Sequence, residues 1–342
     1  MTIRARLDDV AREAGVSTAT VDRVINKRAG VREPTVARVE AAIRKLGYRP
    51  DPLAGRLARG RALRFCFLLP AGANPFMANL GQQAKHVADW LDSQRASVDT
   101  FFVDVFDPET LAVALETKAR EFDGVAVVAL DHPRVRGAID DLMDQGIAVV
   151  TLVSDAPNSR RLRYVGIDNV AAGRTAGSLV GRFVGARRGT VGVIAGSLAL
   201  RAHAERYFGF QNILLEEFPA LSVLPARENR DDDDTGQRAA AAILEENPDL
   251  VALYSIGSRS AGVASALEAS GRATDVVFVA HELTADSRRL LMRNVMDAVI
   301  NQSPGHEVRS AARILLAHCS GEPIIADQNR IRIDIFVRDN VP

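Results

Sequence analysis

Apolar residues near the start of the chain recur at helical spacing in three short groups. Each group covers about one face of a short helix, so each predicts an amphipathic helix with one buried side. The groups are Leu7, Val10, Ala11 and Ala14; Val21, Val24 and Ile25; and Val36, Val39, Ala42, Ile43 and Leu46. The pattern predicts a small all-helical unit at this end of the chain.

Turn-forming residues separate these helices. Gly15 favours the end of the first helix, and Ser17 can cap the second by accepting a hydrogen bond from a backbone N–H. Pro34 suits the first turn of the third helix, and Gly47 suits its end. A helix, a glycine turn and a capped second helix predict a helix-turn-helix unit.

From residue 64 onward, short apolar runs alternate with amphipathic helical stretches such as 169–185 and 235–246. The runs are typical of buried strands. They are RFCFLLP, VDTFFVDV, DGVAVVAL, GIAVVTLV, RYVGID, GTVGVIAG, LSVLPA, LVALYSI, DVVFVA and VMDAVI. Such alternation predicts parallel sheets joined by right-handed helical crossovers.

The number of strands favours two α/β lobes with doubly wound parallel sheets, although a single barrel remains open. Between the helical unit and the first strand lies a proline-broken, arginine-rich segment, YRPDPLAGRLARGR. We therefore predict a small all-α helix-turn-helix domain over 1–48, a hinge segment over 49–62 and a two-lobed domain for ligand binding and dimerisation over 63–342.

Charge is distributed unevenly along the chain. The formal net charge is zero, yet residues 1–64 carry fifteen Arg and Lys against seven Asp and Glu. A basic head joined to an acidic body is typical of a phosphate-facing domain fused to a sensor. The sequence therefore predicts a nucleic-acid partner for the head.

The cysteines and the apolar runs indicate a compartment. Cys66 and Cys319 are the only cysteines, and they fit neither a disulfide framework nor a paired metal knuckle. The start of the sequence lacks the apolar core of a secretion signal, and no run approaches the length of a membrane span. We expect a cytoplasmic protein with no membrane partner.

The segment LDDVAREAGVSTATVDRVINKRAGVREPTVARVEAAIRKLGYRP resembles the DNA-binding domain of the LacI family of bacterial transcription regulators. In such domains the second helix enters the major groove of DNA. The resemblance implies base-facing roles for Thr18 and Ala19, and positioning contacts from Ser17, Thr20, Arg23 and Asn26. It also implies that Ala54 and Leu57 belong to a hinge helix, with Leu57 inserted into the minor groove.

Asp22 departs from the family, which usually has serine at this position. A carboxylate near a DNA phosphate would repel it unless the side chain turned away to pair with Arg23 or Lys27. The sequence gives no account of this residue.

Beyond Arg64 the chain resembles the two-lobed periplasmic sugar-binding proteins that the family uses as its sensor. Asn74 and Phe76 follow the first strand, where the resemblance implies an amide for sugar hydroxyls and a ring for the sugar face. Asp131, Ser154 and Asp155 end strands in the first lobe, at the edge where open α/β sheets bind ligands. By the resemblance, the second lobe contributes Arg206, Ser255, Glu282 and Gln302.

These polar groups predict a hydroxyl-rich ligand, because buried polar groups must find partners. A sugar, a polyol and a sugar acid all fit. The segment YSIGSRSAG departs from the family, which commonly has Asn or Asp there; Ser255, Ser258 and Arg259 form a different polar set. A simple pentose is therefore not implied.

Other chemistry finds no support in the sequence. His281 and Glu282 begin like a zinc-protease helix, but Ala285 stands where the second histidine is needed. His203 and Glu205 have the spacing of a zinc deaminase without its cysteines. The acidic run 231–234 is explained by a favourable interaction with the dipole of the helix that it opens. We expect no catalytic residues, no metal and no cofactor.

The sequence therefore predicts a homodimer that binds palindromic operator DNA and responds to a small sugar, polyol or sugar acid. A tetramer, and whether the ligand induces or co-represses, remain open. Two other classes stand beside this prediction. One is the solute-binding protein of a sugar transporter, and the other is a sugar-modifying enzyme, for which no acid–base pair is found.

Overall fold

The computed structural model describes residues 5–25, 28–48, 62–72, 74–325 and 327–342. Two compact units make up the chain, residues 1–62 and 63–342. In the first, α1 (Leu7–Ala14), α2 (Thr18–Ile25) and α3 (Glu33–Leu46) pack around Val10, Val21 and Val39. The three predicted helices are confirmed.

The second unit contains two lobes, each built on its own sheet. The first lobe has strands β1 (Leu63–Pro70), β2 (Ala96–Val103), β3 (Gly124–Val127), β4 (Ala148–Leu152) and β5 (Arg163–Val165). All its pairs are parallel, in the order β2-β1-β3-β4-β5. Its helices are α4 (Pro75–Ser93), α5 (Pro108–Thr117), α6 (Pro133–Asp144) and, returning from the end of the chain, α12 (Pro304–Ser320).

The second lobe has strands β6 (Gly189–Ala195), β7 (Leu221–Val223), β8 (Arg227–Glu228), β9 (Leu250–Ser255), β10 (Val277–His281), β11 (Ala298–Asn301) and β12 (Asp334–Phe336). Its sheet runs β12-β11-β10-β9-β6-β7, with β8 also paired to β6. Only the β11–β12 pair is antiparallel among the described strands. Its helices are α7 (Asn169–Val184), α8 (Arg201–Glu217), α9 (Asp233–Glu246), α10 (Ala261–Ala269) and α11 (Ala285–Met292).

Helices cover both faces of each sheet, which explains the continuous apolar runs. In β1, for example, the last six residues are all buried. The ten predicted strands are all present, and two doubly wound lobes replace the alternative of one barrel. Short 3-10 helices occur at Ala119–Glu121, Asp327–Asn329 and Arg338–Asn340.

Candidate DNA-binding and ligand-binding sites

The turn between α1 and α2 has the geometry that its sequence predicts. Gly15 is left-handed, with φ of 64°, and its N–H bonds back to the last turn of α1. The backbone N–H of Thr20 donates to Ser17 Oγ at 3.2 Å, which caps the start of α2. These contacts fix the angle at which α2 leaves the turn.

The early residues of α2 face outward. Ser17, Thr18, Ala19 and Arg23 are exposed, and Thr20 is half-buried with its hydroxyl 2.9 Å from that of Ser17. An exposed first turn is what a helix needs to reach base edges in a groove. The other DNA-contact residues predicted above, Asn26, Ala54 and Leu57, lie outside the described residues.

Asp22 has a partner that the sequence did not suggest. Its Oδ2 lies 3.4 Å from Arg28 Nη1, so the carboxylate is turned toward a cation beyond the end of α2. Lys27, one of the two partners that the sequence suggested, lies outside the described residues. The Arg28 contact reduces the repulsion that Asp22 would exert on a nearby phosphate.

Polar side chains of the two lobes converge on a cavity of about 30 Å³ at the carboxyl ends of the strands. Six of the residues predicted from the sequence line it: Asn74, Phe76, Ser154, Arg206, Glu282 and Gln302. All six are buried. The strand-end edge that the topology predicts for a ligand is therefore where these side chains meet.

Arg206 lies at the centre of this cluster and is 3% exposed. Its Nε donates to Asn169 Oδ1 at 2.9 Å and its Nη1 to the carbonyl of Ile256 at 3.1 Å. Its Nη2 lies 3.6 Å from Glu282 Oε1. The fork of the guanidinium is thus held from three directions, and its charge faces a carboxylate.

Glu282 and Gln302 form the floor of the cluster. Gln302 Nε2 donates to Glu282 Oε1 at 2.8 Å, and its backbone N–H donates to Oε2 at 3.5 Å. Burial raises the pKa of Glu282, whereas the Arg206 charge and the Gln302 hydrogen bonds lower it. Glu282 also has a φ of 68°, which is uncommon for a residue other than glycine.

Asn74 joins the two lobes. Its Oδ1 caps α4 by accepting from the backbone N–H groups of Phe76 and Met77. Its Nδ2 donates to Asp231 Oδ2 at 2.7 Å, and Ser258 Oγ donates to its Oδ1 at 2.8 Å. Because Asp231 and Ser258 belong to the second lobe, these bonds close the cleft.

Some buried polar atoms at the cavity have no hydrogen-bond partner within the described residues. Ser154 Oγ and Gln302 Oε1 line the cavity, and Asp231 Oδ1 lies next to its wall. Ser154 follows Val153, whose φ of 63° is a rare conformation for a β-branched residue. Unpaired buried groups are costly, so they mark a place where a polar ligand can be bound.

Two predicted carboxylates do not line the cavity, because arginines hold them elsewhere. Asp131 lies 3.1 Å from Arg136 and 3.2 Å from Arg201, and the second contact crosses between the lobes. Asp155 forms an ion pair with Arg161 and accepts a hydrogen bond from Thr151 Oγ1 at 2.6 Å. Sequence spacing gave no reason to expect the ion pair with Arg161.

Ser255 is buried behind the cavity, where Ser260 Oγ donates to its hydroxyl at 3.4 Å. Its position at the end of β9 is as predicted, but the side chain is absent from the cavity wall. The wall is formed there by Gly257 and Ser258 instead, both within the segment that departs from the family pattern.

Three residues near the cavity were not predicted as ligand contacts. Asp231 was explained by a helix dipole, but α9 begins two residues later and Asp232 is its cap. His203 lines the cavity, and burial lowers its pKa to about 3, so the imidazole is neutral. Glu307 is fully buried behind Glu282. Only the burial of these side chains identifies them, and sequence spacing does not encode it.

The two zinc-like pairs in the sequence occupy other roles. The ring of His281 is in the core, with Nε2 2.7 Å from Tyr254 Oη, and Tyr254 stacks on Phe210. His203 Nδ1 contacts the backbone of Ser197. Over the parts of the chain that the structure describes, no cluster of His, Cys, Asp and Glu could hold a metal ion.

A larger groove of about 1060 Å³ runs along the segments that join the lobes. Exposed residues of both charges line it, among them Arg163, Asp168, Arg332 and Asp334. None of the unpaired buried atoms in the described chain belongs to this groove. The smaller cavity is therefore the stronger candidate for a specific ligand site.

Comparison with known proteins identifies the family. A model described as bacterial regulatory proteins, lacI family, matches residues 6–51, and a periplasmic binding protein domain matches residues 65–323, which is more than half of the chain. The chain belongs to the LacI family of bacterial regulatory proteins. The two matches fall on the helix-turn-helix unit and on the two-lobed unit of this LacI-family chain.

Relatives within the LacI family match different lengths of the chain. The ribose operon repressor of Escherichia coli (strain K12) is 47% identical over 76 residues, which cover 22% of this chain and 23% of that protein. Catabolite control protein A of Priestia megaterium is 26% identical over 252 residues, 72% of each chain. The chain thus spans about a quarter of the ribose operon repressor that it matches.

Solved structures support the fold of the second unit. The glucose-galactose binding protein GanP from Geobacillus stearothermophilus superposes with a TM-score of 0.74 at 22% identity, covering 82% of this chain and 99% of that one. At this identity the likeness concerns the fold alone. Among the described helices, none has both the length and the apolar character that a membrane crossing requires.

Proposed function

We propose that this chain is a cytoplasmic, homodimeric transcription regulator that represses a carbohydrate or polyol utilisation operon. Its affinity for a palindromic operator is set by a small polyhydroxylated ligand in the cleft. One observation carries the proposal: an outward-facing helix-turn-helix and a cleft of converging, partly unpaired polar groups occur on one chain. A DNA-binding unit and a ligand-binding unit on one chain favour a protein whose DNA binding is regulated by the ligand.

On the DNA side, Thr18 and Ala19 are small and exposed, which suits contact with a thymine methyl group in the major groove. Ser17, Thr20 and Arg23 flank them and suit contacts to phosphate. By family resemblance, Asn26 adds a further positioning contact, and Ala54 and Leu57 form the part of the hinge that enters the minor groove.

On the ligand side, Arg206 donates to ligand hydroxyls, and Asn74, Ser154, Glu282 and Gln302 accept from or donate to others. Phe76 supplies an apolar face. This division of roles matches the chemistry of a sugar ring, which has polar edges and apolar faces. Three of the predicted contacts support the cavity wall rather than line it in this arrangement of the lobes. They are Asp131 and Asp155, which arginines hold, and Ser255, which Ser260 holds.

The names of the relatives agree with such a ligand. The ribose operon repressor and the glucose-galactose binding protein are named for sugars, and the sucrose operon repressor of Streptococcus mutans is 41% identical over 76 residues. Ribose, glucose, galactose and sucrose therefore belong in the first ligand panel for this chain.

Regulation requires that the ligand bind one arrangement of the lobes more tightly than another, and that the operator also discriminate between these arrangements. The Asn74 bonds to Asp231 and Ser258 join the two lobes across the cleft. A ligand larger than the 30 Å³ cavity has to displace these bonds, and so it changes the lobe arrangement. That change is the physical basis of the proposed response.

The test is fluorescence anisotropy of the purified full chain on DNA from upstream of its own gene, at fixed salt. We expect tight binding to one palindromic fragment, weak binding to a shuffled control and a shift in affinity with one member of the sugar panel. Failure to bind any fragment, with or without sugars, would contradict the proposal.

A solute-binding protein of a sugar transporter is the second candidate, favoured only by the likeness of the second unit to such proteins. It predicts sugar binding with no operator binding. The same anisotropy experiment, combined with calorimetry of the sugar panel, separates the two.

A further inference from the structure

Positive charge at the cavity is already compensated. Arg206 is the only Arg or Lys among the cavity-lining residues that the structure describes, and Glu282 Oε1 lies 3.6 Å from its Nη2. The neighbouring donors Nε and Nη1 serve Asn169 and Ile256. His203 adds no cation at neutral pH, because burial holds its pKa at about 3. An anionic ligand would therefore find no uncompensated cation.

A second carboxylate, that of Asp231, lies next to the cavity wall. Arg230 and Asp231 are both left-handed, with φ of 48° and 56°, and Arg259 Nε donates to the Asp231 carbonyl at 3.2 Å. This strained turn aims the side chain at the first lobe, where Oδ2 accepts from Asn74. Strain of this kind persists where the surrounding structure fixes it.

Glycines make room for the other oxygen of Asp231. A methyl group on Gly196 or on Gly257 would lie 2.8 Å or 3.3 Å from Oδ1, so a larger residue at either position would crowd it. The same point at Gly196 is 2.8 Å from His203 Cε1, which places the imidazole and the carboxylate at one small space. Gly257 and His203 both line the cavity.

The carboxylate of Asp231 has no ion-pair partner among the described residues, although the charge of Arg259 lowers its pKa. Within the described chain, no arginine or lysine nitrogen lies within ion-pair distance of its carboxylate, and Arg259 instead pairs with Asp233 at 3.0 Å. Oδ1 also lacks a hydrogen-bond partner there, as does Gln302 Oε1. The cleft therefore combines a carboxylate that has no ion-pair partner among the described residues with acceptors in need of donors.

We propose that Asp231 is a specificity-determining residue that makes the cleft select uncharged polyols and sugars over sugar acids and sugar phosphates. Hydroxyl groups donate to the unpaired acceptors, whereas a carboxylate or phosphate adds like charge beside Asp231 and Glu282. The inference rests on the proposed function, and it removes the sugar acid from the ligands that the sequence left open.

The test is calorimetric titration of the full chain with matched pairs: glucose with gluconate and glucuronate, galactose with galacturonate, and ribose with ribose 5-phosphate. Titrations at pH 8 favour ionised Asp231, since burial raises the pKa of this carboxyl. We expect the wild type to bind a neutral member about tenfold or more tightly than its anionic partner, because like charges at an interface are strongly disfavoured.

Two variants separate the effect of the Asp231 carboxylate from the effect of a negative charge elsewhere on the protein. Asp231→Asn should narrow the preference by about tenfold, because an anionic partner no longer meets the carboxylate charge. Thermal unfolding of the variant checks that the fold is intact. Asp234→Asn removes the same charge from an exposed position three residues on and should leave the preference unchanged. Equal binding of an anionic partner by the wild type, or equal effects of the two variants, overturns the inference. Absence of binding to every member contradicts the proposed function itself.

Discussion

Arg206 contacts groups from three separate elements: Asn169 at the start of α7, Ile256 after β9 and Glu282 after β10. Asn169 in turn donates to Tyr164 Oη at 3.0 Å, and Tyr164 donates to the carbonyls of Val153 and Ile167. This chain of contacts reaches from the ligand cavity to a segment that joins the lobes, so a ligand that moves Arg206 can move that segment.

Arg206→Ala should abolish the response of operator binding to the ligand and leave operator affinity in its absence unchanged. The reason is that Arg206 contacts the cavity but belongs to the second unit. We expect ligand affinity to fall by about tenfold or more, the usual cost of losing a hydrogen bond from a charged group to the ligand.

The matched control is Arg182→Ala, which removes an exposed arginine from α7 in the same lobe. Anisotropy with and without ligand measures both variants. Loss of operator binding together with the ligand response in Arg206→Ala would mean that this residue is structural rather than a ligand contact.

Glu307, in the first turn of α12, is a buried carboxyl with no hydrogen-bond partner for either oxygen among the described residues. Burial raises its pKa well above 4.5, the Glu282 charge raises it further and the Arg206 charge lowers it. The folded chain therefore holds Glu307 protonated over a range of pH where the unfolded chain ionises it.

Glu307→Gln should reduce the change in the free energy of unfolding between low and high pH. A raised pKa in the folded state favours folding below pH 4.5, and that contribution is lost as the pH rises toward the folded pKa. Between pH 5 and pH 8 we expect the variant to gain at least about 1 kcal/mol of stability relative to the wild type, because each pH unit between the unfolded and the folded pKa costs the wild type about 1.4 kcal/mol and glutamine does not titrate.

Urea unfolding of both proteins at pH 5 and pH 8 measures the difference. Because Glu282, Asp231 and the buried histidines titrate in both proteins, only the wild-type minus variant difference reports on Glu307. A difference that does not change between the two pH values would contradict an ionisable Glu307.

At the scale of elements, helices α7 and α8 approach closely because glycines face each other across their contact. A methyl group on Gly173 would lie 1.9 Å from the carbonyl oxygen of Arg206, and one on Gly209 would lie 2.2 Å from that of Val170. No side chain can be accommodated at such distances without moving a helix. The close approach places Arg206 against Asn169.

Gly173→Ala should therefore push α8 away from α7 and weaken ligand binding as well as stability. Overpacking of this kind costs roughly 1 to 3 kcal/mol. Gly137→Ala, at an exposed position of α6, is the control, since its methyl group would meet nothing within 4 Å and should stabilise the helix by about 0.5 to 1 kcal/mol. Thermal unfolding and calorimetry measure both. Equal stability of the two variants would contradict the packing argument.

The strands were predictable because strands buried on both faces produce continuous apolar runs such as RFCFLLP. β8 was not, because it has two polar residues, Arg227 and Glu228, and no apolar run. β12 was missed as well, because it is a three-residue antiparallel addition beside β11 and only one of its residues is half-buried on the sheet.

The site was predictable where a residue follows a strand and its partners also lie at the cavity, as for Asn74, Glu282 and Gln302. Asp131 and Asp155 satisfy the same rule, but Arg201 and Arg161 bind them. Such pairs join positions that only the tertiary fold brings together, so no spacing along the sequence reveals them.

At the scale of the molecule, side chains hold the two lobes together across the cleft. Asn74 bonds to Asp231 and Ser258, and Asp131 lies 3.2 Å from Arg201. These contacts form one arrangement of the lobes, and a ligand that needs more space than the cavity offers competes with them. Coupling between ligand and operator then follows from their unequal preferences for the lobe arrangements.

Such coupling is reciprocal. If the ligand changes the operator affinity by some factor, the operator must change the ligand affinity by the same factor. Typical couplings correspond to about 5- to 150-fold, which titration resolves easily.

The most direct test is a complete binding cycle on the full chain at one salt concentration. Operator affinity is measured by anisotropy with and without saturating sugar, and sugar affinity by calorimetry with and without saturating operator. The account predicts two equal factors of about fivefold or more. Tight binding of both partners with factors of one would contradict a ligand-controlled regulator.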